Sequence, residues 1–197
     1  MRLAVATLLA CIGTGGAEAP HRPELAESYS SKTSTYFSTA NETIVAEGTI
    51  ARDAHAGREL IRLVYQDSAN PVAQRVVETL SRVDLGERYE ISGPPQKCTK
   101  AKAPAALREQ WAWVKNATFN GEKTVRHFKT DEWSLISATL HHNIYVEQLG
   151  GGVPARPFMV TERSLKNGDT VTTQYYQFVS AAPPESAFAI PEICKNL

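Results

Sequence analysis

The side chains best suited to acid–base or metal chemistry are poorly arranged along this chain. His141 and His142 are adjacent, and adjacent residues of a strand face opposite sides of a sheet, so they cannot easily bind one metal ion. Asp131 and Glu132 are also neighbours, but a charged pair at the start of a strand is usually just solvated. Nucleophile-elbow, phosphate-cradle and HExxH motifs are missing. We therefore expect a non-enzymatic protein without a cofactor. The alternative is a hydrolase whose catalytic cluster forms only on folding.

Aromatic side chains are the more informative set, and most of them fall at alternating positions of strand-like segments. One interpretation is a packed sheet core, which is the ordinary place for such residues. The other is an incompletely covered sheet face that binds a hydrophobic small molecule or lipid. The residues predicted to line such a pocket are Trp111, Trp113, Phe119, Trp133, Tyr145, Phe158, Tyr176 and Phe178.

Short runs of β-branched and aromatic residues between turn signals predict a mainly β fold. The clearest hairpin has Asn167-Gly168 at its turn, a favoured pair for positive φ. We expect about nine to ten strands in an antiparallel sandwich or half-barrel-like sheet, with one or two short helices. The Ala-rich segment 101–114 is equally compatible with a short helix and with a loop. The strands are predicted at 44–52, 59–66, 73–83, 87–91, 123–129, 133–139, 143–149, 155–165 and 170–179.

The N-terminus has the features of a secretory signal peptide. Arg2 precedes an uncharged apolar run, and small residues follow, which predicts a signal peptide at 1–17 cleaved after Ala17. The box at 8–11 leaves a bacterial lipoprotein as an alternative, and an apolar first strand of a cytosolic protein as a weaker one. Residues 18–40 are predicted to form an extended or poorly ordered lead-in, and 41–197 a single β domain. No later stretch is long and apolar enough for a transmembrane helix.

The cysteine count agrees with export. The chain has 3 cysteines, and signal cleavage removes one of them, which leaves Cys98 and Cys194. In an oxidising compartment these two should pair, closing a loop worth ~4–5 kcal/mol in the chain-entropy model. The sequons at Asn41 and Asn116 predict glycosylation and favour a eukaryotic secretory route. Lys and Arg balance Asp and Glu at 21 each, which argues against nucleic acid as a partner.

Several segments of the second half resemble the ependymin-related family of secreted glycoproteins. The resemblance covers about residues 89–194 and depends on the order and spacing of short elements rather than on any one of them. Those elements are the Cys-Thr-Lys at 98–100, Trp111, the Asn-Ala-Thr-Phe at 116–119, the Asp-Glu-Trp at 131–133, the Val-Pro strand at 153–158 and the closing Phe-x-x-Pro-x-x-Cys at 188–194.

The resemblance implies a strongly curved antiparallel sheet similar to that of bacterial lipoprotein carriers, with a Cys98–Cys194 disulfide. It also implies binding of a lipid or another hydrophobic molecule, an association with calcium, and secretion to the extracellular space or residence in the lysosomal lumen. An alternative function is a component of cell–matrix adhesion that contacts the extracellular matrix. The family's additional cysteines are missing here, so we expect no further disulfide and no disulfide-linked dimer.

Overall fold

The fold is one open antiparallel sheet, seen in a computed structural model that describes residues 20–66, 75–149 and 153–197. Eleven strands are present in these residues, and every helix among them is a short 3-10 turn. The strands are β1 (Tyr29–Ser38), β2 (Thr43–Asp53), β3 (Arg58–Gln66), β4 (Arg75–Arg82), β5 (Glu87–Ser92), β6 (Lys97–Lys102), β7 (Thr118–Val125), β8 (Phe128–Ile136), β9 (Leu140–Glu147), β10 (Arg156–Ser164) and β11 (Thr170–Val179).

Two meanders build the sheet, and the first and last strands join them. The spatial order is β6-β5-β4-β3-β2-β1-β11-β10-β9-β8-β7. Strand β1 pairs with β2 on one side and with β11 on the other, both antiparallel. The chain must therefore cross from one outer edge of the sheet to the other between β6 and β7. Residues 103–117 make this connection, and we call them the strap.

The predicted fold class is confirmed, with differences in detail. The sheet has two strands more than the nine runs marked in the sequence, β1 and β6. The predicted strand at 123–129 is wrong, because a turn at Arg126 and His127 separates β7 from β8. Both turn residues have positive φ without being glycine or asparagine, so the sequence carried no turn signal there.

The lead-in predicted at 18–40 needs a correction, because its second half is a central strand of the sheet. The segment contains two tyrosines, a phenylalanine and two threonines, and these residue types favour strands. Tyr29, Thr33 and Thr35 are buried between the neighbouring strands and the strap side of the sheet. The β domain therefore includes residues before 41. The predicted signal peptide lies outside the described residues.

The structure shows whether segment 101–114, which includes most of the strap, is a helix or a loop. It is not an α-helix, and its regular part is a 3-10 turn at Ala112–Asn116. The turn buries Val114, while Trp111 directly before it is also buried. The remaining strap residues run as irregular chain, with Ala103 anchored by its N–H to the Gly86 carbonyl. The strap is thus held on the sheet by side chains rather than by regular structure of its own.

The C-terminal tail packs on the opposite face of the sheet. Phe188 and Cys194 are buried against Leu80, Tyr89 and Ile91 of strands β4 and β5. A disulfide joins Cys194 to Cys98 on β6, with the two Cα atoms 5.4 Å apart, which confirms the predicted pair. The tail covers one face over strands β4 and β5, and the strap covers part of the other.

Candidate functional site

Trp111 is the main side chain that fixes the strap to the sheet. It is 5% exposed, and its ring centroid lies 6.2 Å from that of Tyr29 and 6.0 Å from that of Tyr175. Its indole N–H donates to the Ala26 carbonyl at 3.1 Å. A buried tryptophan with its one polar atom satisfied provides a large apolar anchor at no hydrogen-bonding cost. Trp111 therefore connects the strap, the N-terminal segment and the sheet centre.

Gln110 connects the strap to the same two tyrosines by hydrogen bonds. The Tyr29 hydroxyl donates to Gln110 Oε1 at 2.6 Å, and Gln110 Nε2 donates to the Tyr175 hydroxyl at 3.3 Å. Burial raises the pKa of Tyr29 well above its usual value, and it also raises the pKa of Tyr175. Both hydroxyls therefore stay protonated at neutral pH, which keeps the Tyr29 donor in place. We call these three residues the glutamine latch.

Arg52 is a buried charged residue on β2 that contacts the strap at Arg108. Its guanidinium donates to the Arg108 carbonyl at 2.6 Å and to the Glu27 carbonyl at 3.2 Å. The remaining nitrogen forms an ion pair with Glu59 on the neighbouring strand β3. The side chain is 4% exposed, so each nitrogen needs the partner it has. Arg52 thus holds the strap and the N-terminal segment to β2 and β3.

Two adjoining cavities lie between the strap and the sheet. Their volumes are about 260 and 230 Å³, and five lining residues are common to both, so they form one cleft. Each cavity is close to the lower end of the ~300–1,000 Å³ typical of small-molecule sites. The shared residues are Ile50, Ile61, Gln110, Trp113 and Glu162.

Apolar side chains that are only partly buried form the wall of the cleft on the side away from Trp111. Phe37, Leu63 and Val171 line the larger cavity together with Ile50 and Ile61. All five are of intermediate burial, although the strap residues Gln110, Trp111 and Trp113 line the same cavity. This surface is apolar, recessed and only partly covered by the described residues.

Hydroxyl groups form the floor of the larger cavity. Thr35 and Thr173 lie on adjacent strands with their Oγ1 atoms 3.3 Å apart. Thr33 is 1% exposed, and its Oγ1 finds no hydrogen-bond partner among the residues that the structure describes. A buried hydroxyl without a partner costs free energy, so a group that bonded to it would be stabilised. The floor of the cleft is therefore not purely apolar.

A histidine and a carboxylate flank the aromatic wall of the cleft. The Trp113 ring stacks on His142 with centroids 5.1 Å apart. His142 Nδ1 lies 3.3 Å from a Glu162 carboxylate oxygen, without the geometry of a hydrogen bond. Glu162 is about half exposed and lines both cavities. The aromatic wall thus has one carboxylate at its edge, and the smaller cavity adds Glu59, which is paired with Arg52.

A larger cavity of about 620 Å³ lies between the strap and the N-terminal segment that precedes β1. It is lined by charged and apolar residues alike, including Arg22, Glu24 and Glu109. Arg22 donates to the Lys115 carbonyl there. Its mixed lining fits a solvated gap between two chain segments better than a site for a hydrophobic molecule.

The structure brings five of the eight predicted pocket aromatics to the strap side of the sheet. Trp113 lines both cavities and Trp111 lines the larger one. Phe119, Trp133 and Phe178 belong instead to the hydrophobic core beside the cleft. Phe119 contacts Trp133 with ring centroids 5.2 Å apart. These three aromatics hold the strap side together and do not line the cleft.

The other three predicted pocket residues lie on the opposite face. Tyr145 pairs across the sheet with Glu132 and donates to its carboxylate at 3.0 Å. Burial, together with this hydrogen bond, raises the pKa of Tyr145 to about 12. Phe158 and Tyr176 line a separate cavity of about 390 Å³ on that face. Period-two alternation separates Tyr176 from Tyr175, whose ring faces the strap. The predicted set is therefore split between the two faces.

The remaining predicted residues occupy accessible places. Asn41 lies in the exposed turn between β1 and β2, and Asn116 is exposed at the end of the strap turn. Both can be reached by a modifying enzyme, and their glycosylation stays a prediction. Among the described residues there is no group of three or more His, Cys, Asp or Glu arranged for a metal ion. None of the helices described is long and apolar enough to span a membrane.

Sequence reasoning missed several residues that build the site. Tyr29 and Thr33 lie in a strand that was predicted as lead-in, so their positions were not considered. Arg52 lies in the predicted strand 44–52, where nothing in the sequence marked it as a site residue. Gln110 and Glu162 carry no motif. The available signal was the content of aromatic and threonine residues in 29–37, which favours a strand.

Comparison with known proteins supports the fold and leaves the family open. No protein-family model matches the chain. No curated protein matches it either. Among solved structures, an uncharacterized conserved protein from Thermus thermophilus is similar, with a TM-score of 0.51 and 10% identity over 85% of this chain and 88% of that chain. At this identity the similarity shows the fold alone.

Two further solved structures match more weakly. A putative outer membrane lipoprotein-sorting protein domain from Vibrio parahaemolyticus aligns with a TM-score of 0.44 and 7% identity, over 85% of this chain and 91% of that chain. MucB aligns with a TM-score of 0.46 and 12% identity, over 86% of this chain and 59% of that chain. We draw no functional argument from either match.

Proposed function

We propose that this protein is a secreted, non-enzymatic carrier or receptor that binds a hydrophobic, lipid-like molecule in the cleft between strap and sheet. The observation that carries this proposal is the recessed apolar wall beside the strap. This wall remains only partly buried, whereas the C-terminal tail covers the opposite face over strands β4 and β5; the wall consists of Phe37, Ile50, Ile61, Leu63 and Val171.

The energetics of this wall favour an occupant. Burying apolar surface is worth about 25 cal/mol per Å², so a partly covered apolar recess gains free energy when an apolar molecule fills it. A packed adhesion module would instead have its core filled by its own side chains. No observation in the described residues favours adhesion or calcium binding, and both remain predictions from the sequence.

The disulfide and the sequence resemblance support a secreted protein. Disulfides persist in oxidising compartments, and Cys98–Cys194 is formed. We propose membership of the ependymin-related family on the same grounds, since the resemblance implies this pair. The exposed positions of Asn41 and Asn116 agree with glycosylation during export. Export to the extracellular space or to the lysosomal lumen is part of the same proposal.

Native mass spectrometry of protein purified without detergent tests the proposal. We expect masses above that of the chain and its glycans, which collapse to the apo mass after extraction with organic solvent. Extracted protein should then take up a fluorescent apolar probe with a stoichiometry of one. A clean apo mass together with no uptake of the probe would overturn the proposal.

A further inference from the structure

Two of the polar groups that line the cleft are carboxylates. Glu162 lines both cavities, and Glu59 lines the smaller one. Thr33 adds a buried hydroxyl that has no partner among the described residues, and a hydroxyl can accept as well as donate. Because Glu59 is paired with Arg52, a ligand that enters the cleft meets one carboxylate without a guanidinium partner, that of Glu162, and the unsatisfied Thr33 oxygen.

The positive groups at the cleft offer little to an anionic ligand. All three guanidinium nitrogens of Arg52 are engaged, by the carbonyls of Glu27 and Arg108 and by the Glu59 carboxylate. The other cation among the lining residues is Arg108, which is exposed to solvent. Among the described residues that line the larger cavity, only Glu162 is charged, so a carboxylate there would lose its hydration and meet a like charge.

Gln110 does not change this balance. Its amide oxygen accepts from Tyr29 and its amide nitrogen donates to Tyr175, which leaves one N–H and one lone pair, so Gln110 serves donors and acceptors alike. Trp113 supplies an aromatic wall to both cavities, and aromatic faces attract cations. Trp113 therefore favours a cation over an anion, and Gln110 favours neither.

We propose that the cleft selects hydrophobic molecules with a hydrogen-bond-donating, non-anionic head group, such as a long-chain alcohol or amine, over fatty acids of the same chain length. An amine head group bonds to Glu162 and a hydroxyl head group to Thr33, and the chain lies against Ile50 and Ile61. This inference rests on the proposed function, because it names the ligand class of that same cleft.

Three probes with one chain length test the inference: decan-1-ol, decylamine and decanoate, each titrated against a bound fluorescent apolar probe at neutral pH. We expect the alcohol and the amine to displace the probe, and decanoate to need a concentration at least tenfold higher. Equal or tighter binding of decanoate would overturn the inference while leaving the proposed function standing. Displacement by none of the three, with no uptake of the apolar probe, would remove the proposed function as well.

Three variants assign the selection to named groups. Glu162→Gln should weaken decylamine about tenfold and leave decan-1-ol within a factor of two. Thr33→Val should weaken decan-1-ol several-fold, because it removes the buried hydroxyl while keeping the side-chain shape. Glu90→Gln is the matched control, since Glu90 is an exposed carboxylate on β5 that lines neither cavity. An unchanged amine affinity in Glu162→Gln, or an equal loss in Glu90→Gln, would overturn the assignment.

Discussion

The glutamine latch offers a test of how the strap is held, through the variant Gln110→Leu. Leucine is an apolar side chain of similar size, and it lacks both the amide oxygen and the amide nitrogen of Gln110. The Tyr29 hydroxyl then loses its acceptor at 2.6 Å, and the Tyr175 hydroxyl loses a donor at 3.3 Å. Both tyrosines are buried, so water replaces these partners poorly.

The magnitude follows from the two bonds. A buried polar group left without its partner costs about 1–3 kcal/mol. The Tyr29 bond is short and Tyr29 is fully buried, whereas the Tyr175 bond is long and contributes less. We expect the free energy of unfolding to fall by about 2 kcal/mol, which for a chain of this size lowers Tm by about 4–8 °C.

Chemical denaturation and a thermal scan measure this loss, and a triple variant controls for side-chain shape. Removing donor and acceptor together is close to neutral when the volume is kept. Tyr29→Phe and Tyr175→Phe combined with Gln110→Leu should therefore recover at least half of the lost stability. Stability of Gln110→Leu within about 0.5 kcal/mol of the native protein, or a triple variant weaker than the single one, would refute the latch.

Further predictions concern the disulfide, a close backbone contact and alkaline pH. Replacing Cys98 and Cys194 by serine opens a link across a sequence separation of 96 and should cost about 4–5 kcal/mol in urea denaturation; a loss below 1 kcal/mol would contradict it. Gly48→Ala places a methyl group 2.5 Å from a backbone carbonyl of β3, so we expect a loss of about 1–3 kcal/mol or more, and a neutral result would count against the observed packing. Burial raises the pKa of Tyr29 and Tyr175. Above about pH 10 the unfolded chain therefore loses phenolic protons that the folded chain keeps. The free energy of unfolding should then fall by up to about 1.4 kcal/mol per pH unit for each tyrosine. The Tyr175→Phe variant should show a shallower alkaline slope, and an identical slope would refute this cause.

The fold class was predictable because most strands carry their own local signal. Strand β11 at Thr170–Val179 has the predicted bounds, and the Asn167-Gly168 pair marks the turn before it. Strand β1 was missed because its serines and threonines resemble a disordered segment in composition. Its hydroxyls are tolerated inside because neighbouring strands, the strap and other side chains bury and partly bond them, as at Thr35 and Thr173. That environment exists only in the folded sheet.

The site was predictable only in part, for a related reason. Alternation within a strand assigns residues to two faces, but the sequence does not say which face the strap covers. Tyr145 and Tyr176 were grouped with Trp113 because all are aromatic, and the register of the sheet separates them. The polar groups that hold the strap come from distant parts of the chain, as with Arg52 and the Arg108 carbonyl. Such pairs have no local signature.

The most direct test of the central claim is the affinity of an apolar fluorescent probe for two tryptophan variants at adjacent positions. Ile50 lines both cavities, so Ile50→Trp should fill the cleft, whereas Thr49 is exposed on the opposite face of the same strand. We predict at least a tenfold loss of affinity for Ile50→Trp with both variants folded, and an unchanged affinity for Thr49→Trp. Native affinity in the Ile50→Trp variant would show that hydrophobic molecules do not bind in this cleft.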